Sequence, residues 1–457
     1  MTDTTTLVAT RRAKSDVARR YLSHQITEWL DRCDKKDERR QHVTQLAAIR
    51  SLLTRISDRL EADYKSLSAA GSTNGFFAAA ASFDVRVVWL ERLWRFFEGK
   101  FAQREEGSPF RSVLLLADEV VWSCYSQVFD RARALHLKVA EGMAPPLPFV
   151  EARYSPAAFP TELVPPDLRG EVETAFLSEF LNKMPIPVVR IPPSSVPTPW
   201  WLVLLGHEVG HHLQYDLLPD KKLVDGFSSA IHQAVERETG STSEADTWAR
   251  WSREIFADVF SALCMGPWAV RTILELEFMG SAAMDKPRDS YPSPTVRLGL
   301  LAGTVDRVTG STRGTQELGG LVAWDPTHPV HKAVLDVALG ELPGVSATLP
   351  ALCDLGVAGF ASDIESWRET FCGTDDRVPD RATRSARILV SAAFAAWEKI
   401  AVAKVDEALE TARKNLCSRA TAAILLGAPE GERGAEEAII DETMADEVVD
   451  AIWRETA

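Results

Sequence analysis

Two histidines and three acids stand at spacings suited to holding and using a metal ion. His207 and His211 are four residues apart, so on a helix both imidazoles fall on one face, one turn above the other, and can grip a single cation. Glu208, about 100° around the helix from His207, can reach a water held by that cation without itself being a ligand. A hydrolytic zinc ion takes three protein ligands and keeps a further position for water, so a third donor must come from elsewhere. Glu254 and Asp258, in WSREIFADVFSAL, are again four apart and are flanked by Ile255, Phe256, Val259 and Phe260. Carboxylates in apolar surroundings require partners. Glu254 is expected to complete the zinc shell. Asp258 is expected to accept the free ring N–H of a ligand histidine, His207, and so fix its tautomer. Ala257 between them lets the two helices approach closely.

The segment HEVGH (His207–His211) fits the H-E-x-x-H signature of zinc peptidases. The longer form with a third histidine six positions on is excluded, because Gln214 stands at its glycine and Leu217 at its ligand. HEVGH followed downstream by EIFAD resembles the gluzincin metallopeptidases. That resemblance implies a glutamate ligand from the second helix and an aspartate four residues later that supports the first histidine. The stretch Tyr291-Pro292-Ser293-Pro294-Thr295-Val296-Arg297 looks like the H-P-P-T-x-x-R segment of the prenyl-protein-processing and heat-shock zinc peptidases, whose histidine and arginine aid oxyanion stabilisation. Pro292 and Arg297 fall on its proline and arginine, a threonine is present, and Tyr291 stands for the histidine. A phenol can donate to an oxyanion as imidazole can. The resemblance therefore implies catalytic roles for Arg297 and Tyr291 beside Glu208. It spans about residues 186–300 and extends neither to the membrane helices of those relatives nor to the flanking regions here.

The reading that follows is a zinc-dependent endopeptidase acting on a protein substrate such as a dedicated regulatory target, with Zn2+ as cofactor. Glu208 would take the proton of the attacking water and pass it to the leaving amine. A strand at Val188–Ile191 would pair with an extended substrate by edge addition. Two rivals are a helical binding or scaffold protein carrying a zincin relic, and a zinc hydrolase of a small amide.

The elements that must position these residues are mostly helical. Thr198 and Pro199 supply a cap and a first-turn proline, and WWLVLLGHEVGHHLQYDLL is apolar on nearly every side, so the histidines are expected on a buried helix. Apolar spacings of three and four predict helices over 14–69, 83–104, 112–135, 168–181, 223–238, 244–264, 294–308, 329–342, 381–415 and 436–453. Pro187 and Pro192 restrict the strand between them to an edge or to a short central piece. The expected fold is mainly α with a small β component, a zincin-like core flanked by helical regions. Its expected parts are a helical unit at 1–140, the metallopeptidase unit at 141–345 and a helical region with an acidic tail at 346–457. The stripe Ile440, Met444, Val448, Ile452 predicts that the tail helix docks on its own chain.

Other histidines are secondary. His212 is turned about 100° from His211 and is weighed for a substrate-side role; His328 and His331 begin a helix and suit capping or surface duty. Gly373-Thr374-Asp375-Asp376 lacks the tyrosine and glycine that would make it an aspartate-ligand segment. A net charge of −14 argues against nucleic acid, and the basic pairs Arg11-Arg12, Arg19-Arg20, Lys35-Lys36 and Arg39-Arg40 read as a solvated helix face. Six scattered cysteines without a C-x-x-C pair favour a reducing compartment. With no apolar leader and no stretch approaching the roughly 20 residues that span a bilayer, a soluble cytoplasmic protein with a protein or peptide substrate is expected, with room for a regulatory protein partner.

Overall fold

Helical periodicity dominates the structure as it dominates the sequence. In a computed structural model the described residues are 3–34, 42–67, 72–139, 145–152, 157–159, 187–218, 222–278, 280–287, 291–356, 359–373, 385–428 and 442–456. The first helices are α1 (Thr4–Asp34), α2 (Val43–Ser66), α3 (Thr73–Ala102) and α4 (Arg111–Ala134). The strands are β1 (Leu147–Val150), β2 (Ala157–Phe159) and β3 (Val188–Ile191). Then come α5 (Leu205–Asp216), α6 (Lys222–Thr239), α7 (Thr242–Met265), α8 (Pro267–Glu277), α9 (Pro294–Thr309), α10 (Pro329–Leu339), α11 (Phe360–Cys372), α12 (Ala386–Ala403), α13 (Asp406–Leu426) and α14 (Glu442–Glu455). The chain is mainly helical, and no helix among the described residues is long and apolar enough to cross a membrane.

Several expected boundaries move for identifiable reasons. The run after Thr198 does not start as an α-helix: Pro199–Leu204 wind as a 3-10 helix, and α5 begins at Leu205. Thr198 does not cap it; its hydroxyl donates to the Ser194 carbonyl at 2.5 Å instead. Trp200, fully buried, stacks on Trp397 at 4.7 Å and anchors this tighter turn. The helix expected over 381–415 is two helices, α12 and α13, parted at Lys404 and Val405, which are extended, and Asp406, which has φ 50°. Likewise the 14–69 pattern divides into α1 and α2. The expected helix at 168–181, Ile440 and the 374–376 segment lie outside the described residues.

The three strands form one sheet in the order β1-β3-β2, with β1 parallel and β2 antiparallel to β3. Val188–Ile191 is thus the central strand, the second option its flanking prolines allow, and it has no open edge to offer a substrate. The outer edge of β1 is closed as well. The Gln103 side chain donates to the Val150 carbonyl and accepts from its N–H, at 2.9 and 2.8 Å, and Arg104 donates to the Pro148 carbonyl at 2.7 Å.

Alternate side chains of the sheet enter two separate hydrophobic cores, as the two-residue period of a strand requires. Leu147, Phe149 and Val188 join α1, α2, α3 and α14 in one; Val150, Val189 and Ile191 join α4, α5 to α13 and the 3-10 turn in the other. The cores divide the chain differently from the expected segments at 1–140, 141–345 and 346–457. Helix α4 belongs with the histidine helix, α11 to α13 share that same core, and the last helix belongs with the first three. The reason is pairing of apolar faces: Val448 and Ile452 of α14 are fully buried against the first bundle. There Trp453 Nε1 donates to Asp63 at 2.8 Å and Asp446 pairs with Arg55.

Candidate metal centre

Helices α5 and α7 cross at small residues. A Cβ on Gly210 would lie 2.8 Å from the Ala257 Cα, and one on Gly206 would lie 3.0 Å from Met265 and 3.1 Å from Ser261. Side chains at those positions would push the helices apart. Ala257 therefore permits the approach, as expected, but the glycines one turn apart on α5 require it. Helix α7 is started by Ser241, whose hydroxyl accepts from the Glu244 N–H, and ends at Gly266 with φ 66°, where Pro267 opens α8.

This crossing gathers His207, His211 and Glu254 so that one ligand atom of each lies within 4.8 Å of the others. The two Nε2 atoms face each other at 3.1 Å. Glu254 brings Oε2 to 3.4 Å from His207 Nε2 and Oε1 to 3.5 Å from His211 Nε2. Glu254 Oε2 is buried and makes no hydrogen bond. Two imidazole nitrogens aimed at one point beside an unsatisfied carboxylate oxygen fit a metal site with two nitrogen donors and one oxygen donor.

Behind this group runs a chain of buried charges. Asp258 Oδ1 stands 2.8 Å from His207 Nδ1, the contact expected of it. Arg297 grips Asp258 with two parallel bonds, Nε to Oδ2 and Nη2 to Oδ1, both 2.8 Å, and gives Nη1 to Glu277 at 2.8 Å. Its Nη2 is a further 3.9 Å from Glu254. All three faces of the guanidinium are thus committed to carboxylates, and Arg297 is 5% exposed. The substrate-facing role expected of it is not the one its placement gives; a buried arginine satisfies its donors with acids, and here those acids lie behind the histidine. The arginine's helix, α9, is capped by Ser293 and opens with Pro294, so the P-S-P stretch sets the helix start.

Glu277, at the end of α8, was not singled out in the sequence, since a lone acid on an amphipathic helix gives no signal. Four carboxyl groups near the histidines, those of Glu208, Glu254, Asp258 and Glu277, are buried, and Arg297 lies within 4 Å of the last three. The pocket therefore favours added positive charge, and the histidines respond. Burial pulls the His207 pKa down, but Asp258 and Glu254 outweigh it and raise it to about 10. Burial, with the charge of His207, lowers His211 to about 4. Glu254 is held below its usual value, burial being outweighed by His211, His207 and Arg297.

Tyr291 is 39% exposed, and its ring centre is 5.7 Å from the Arg297 guanidinium carbon. Burial, then Glu254 and Glu208, push its pKa up to about 12, so it keeps its proton. His212, by contrast, is buried at 1% and bonded to the backbone of Val188, which ties α5 to β3 rather than facing a substrate. His331 stacks on Trp324 at 4.5 Å and His328 is exposed at the start of α10; neither joins the metal-ligand group.

At the far end of α5, Asp216 accepts from the Tyr125 hydroxyl at 2.8 Å. Burial raises its pKa to about 7, against the opposing Tyr125 bond. A carboxyl raised in the fold binds protons more tightly there than in the unfolded chain. Its contribution is full below about pH 4 and is lost as pH rises through about 7. Asp216→Asn is expected to stabilise the protein above pH 8 and to change little at pH 5, read from urea unfolding at both values. An equal effect at the two pH values would refute this assignment.

No protein-family model, no curated protein and no solved structure matches the chain.

Proposed function

We propose that this chain is a zinc-dependent peptidase in which His207, His211 and Glu254 hold the metal and Glu208 moves the proton. The single observation that carries this reading is the convergence of the two Nε2 atoms and the Glu254 carboxylate beside a second acid, Glu208, that immediately follows the first histidine. A zinc ion bound there would supply Lewis acidity towards the scissile carbonyl and lower the pKa of a water at its open position.

The chain's own groups account for the remaining chemistry. Glu208, one residue from His207 and 6% exposed, would accept the proton of the attacking water and return it to the leaving nitrogen. Asp258, with Oδ1 2.8 Å from His207 Nδ1, would accept its N–H and so turn Nε2 towards the metal position; Arg297, bonded to both Asp258 and Glu277, holds Asp258 ionised and in place. The arginine is thus a positioning residue. The oxyanion donor from this chain is Tyr291, whose phenol stays protonated through neutral pH and is open to solvent. Edge addition of an extended substrate is not available at β3, which is central, or at β1, whose outer edge is bonded by Gln103 and Arg104.

Metal analysis tests the ligand set. Wild-type protein purified without chelator is expected to hold one zinc per chain, and Glu254→Ala to weaken retention by about tenfold or more, a loss of one charged ligand. Unchanged zinc content in Glu254→Ala would place the third ligand elsewhere and end this assignment.

A further inference from the structure

Most side chains around the metal-ligand group are buried, but His211 and Tyr215, one turn apart on α5, and Arg253 on α7 are only half-buried. They mark a side on which the centre opens to solvent. Arg253 immediately precedes Glu254, and its guanidinium carbon lies 4.9 Å from the centre of the Tyr215 ring. Its charge is close enough to act on His211.

Several other half-buried or buried arginines are tied to acids: Arg86 to Asp63, Arg190 to Glu151, Arg387 to Asp354 and Arg297 to Asp258. Arg253 differs. No carboxylate among the described residues lies within ion-pair distance of it, although acids outnumber bases in the chain by 65 to 51. A guanidinium resting on an aromatic face is held in orientation while its in-plane N–H donors stay available, the geometry that suits a carboxylate. Tyr215 follows His211 by one helical turn, about 5.4 Å of rise, and an extended peptide advances about 3.3 Å per residue. A substrate carboxylate reaching Arg253 would therefore belong to a residue about two positions from the bond being cut.

We propose that Arg253, seated on Tyr215, is the specificity-determining residue of this centre and binds a carboxylate of the substrate within about two residues of the scissile bond. The substrate class is acidic: peptides with Asp or Glu beside the cleavage point, or chains ending there in a free carboxylate. This inference rests on the zinc peptidase reading above.

Three peptide hydroxamates anchored at the metal test it without turnover. They share one leucyl core and differ in the next residue: Glu with an amidated end, Gln with an amidated end, and Gln with a free carboxylate. Their affinities are compared by calorimetry on zinc-loaded wild type, Arg253→Gln and Arg253→Glu, with zinc content and thermal unfolding measured alongside. For wild type, at least one carboxylate-bearing compound is expected to bind about 10- to 100-fold more tightly than the neutral one. The compound that gains identifies the side chain or the terminus as the group recognised. In Arg253→Gln this preference disappears while zinc content and unfolding stay at wild-type values, and in Arg253→Glu it reverses. Equal binding of all three by wild type, or a preference that survives in Arg253→Gln, overturns the proposal while leaving the metal centre standing. Protein that retains no zinc and binds none of the compounds removes the peptidase reading itself, and this inference with it.

Discussion

Glu208→Gln is expected to reduce peptide hydrolysis by about 10²- to 10⁴-fold while one zinc per chain is retained. The substitution keeps the shape of the side chain and removes its capacity to take a proton. Glu208 adjoins the ligand pair without belonging to it: the three donor atoms that lie within 4.8 Å of one another come from His207, His211 and Glu254. Metal content and turnover should therefore separate in this variant. The measurement pairs metal analysis with mass-spectrometric detection of new peptide termini in a proteome digest, wild type against variant. Turnover within about tenfold of wild type would show that another group moves the proton. A scaffold protein with a relic centre would give no new termini in either sample.

The second large effect is on stability. Arg297 lies among three buried carboxyl groups, those of Asp258, Glu277 and Glu254, and makes three bonds of 2.8 Å to the first two. Asp258 is kept far below the ordinary carboxylate range: burial opposes this, and Arg297 followed by His207 overcomes it. Removing one partner of a buried ion pair costs about 3–5 kcal/mol, because the remaining charges stay desolvated. Arg297→Ala is expected to lose that much in urea unfolding, a large share of the roughly 5–15 kcal/mol that holds a typical domain. Arg297→Lys should recover only part of it, since an ammonium cannot make the two parallel bonds to Asp258. Zinc retention should fall with stability in both variants, because Asp258 loses the group that orients it towards His207. A loss below about 1 kcal/mol, the range of an exposed pair, would mean that water already reaches this arginine.

Much of the centre could be read from spacing alone. Four-residue intervals place side chains on one helical face, so the pairs His207 with His211 and Glu254 with Asp258 emerged from periodicity, and the contact of Asp258 with His207 followed from their chemistry. What periodicity cannot supply is the direction from which a third element arrives. Arg297 was assigned towards the substrate through a short resemblance, yet α9 delivers it to the back of Asp258. Glu277 completes its coordination from a helix whose sequence, PWAVRTILELE, gives only an amphipathic pattern. The glycines of α5 were visible as residues but not as a constraint, because their need depends on how near α7 passes. Strand β3 was found at its correct residues, while its central position depends on two partners that pair with it from other parts of the chain. The two cores do not follow the three consecutive units for a similar reason: apolar faces on α4 and α14 find partners remote in sequence.

That last pairing has a consequence for how the molecule is made. Asp63 and Trp453, 390 positions apart, bond directly, and Arg55 meets Asp446 across a similar span. A ribosome releases the first three helices long before it has synthesised the helix that covers them. Until α14 has been made, the apolar groove that it will fill must stay uncovered or be shielded by a chaperone, so helices α1 to α3, made well before it, cannot finish folding until it arrives.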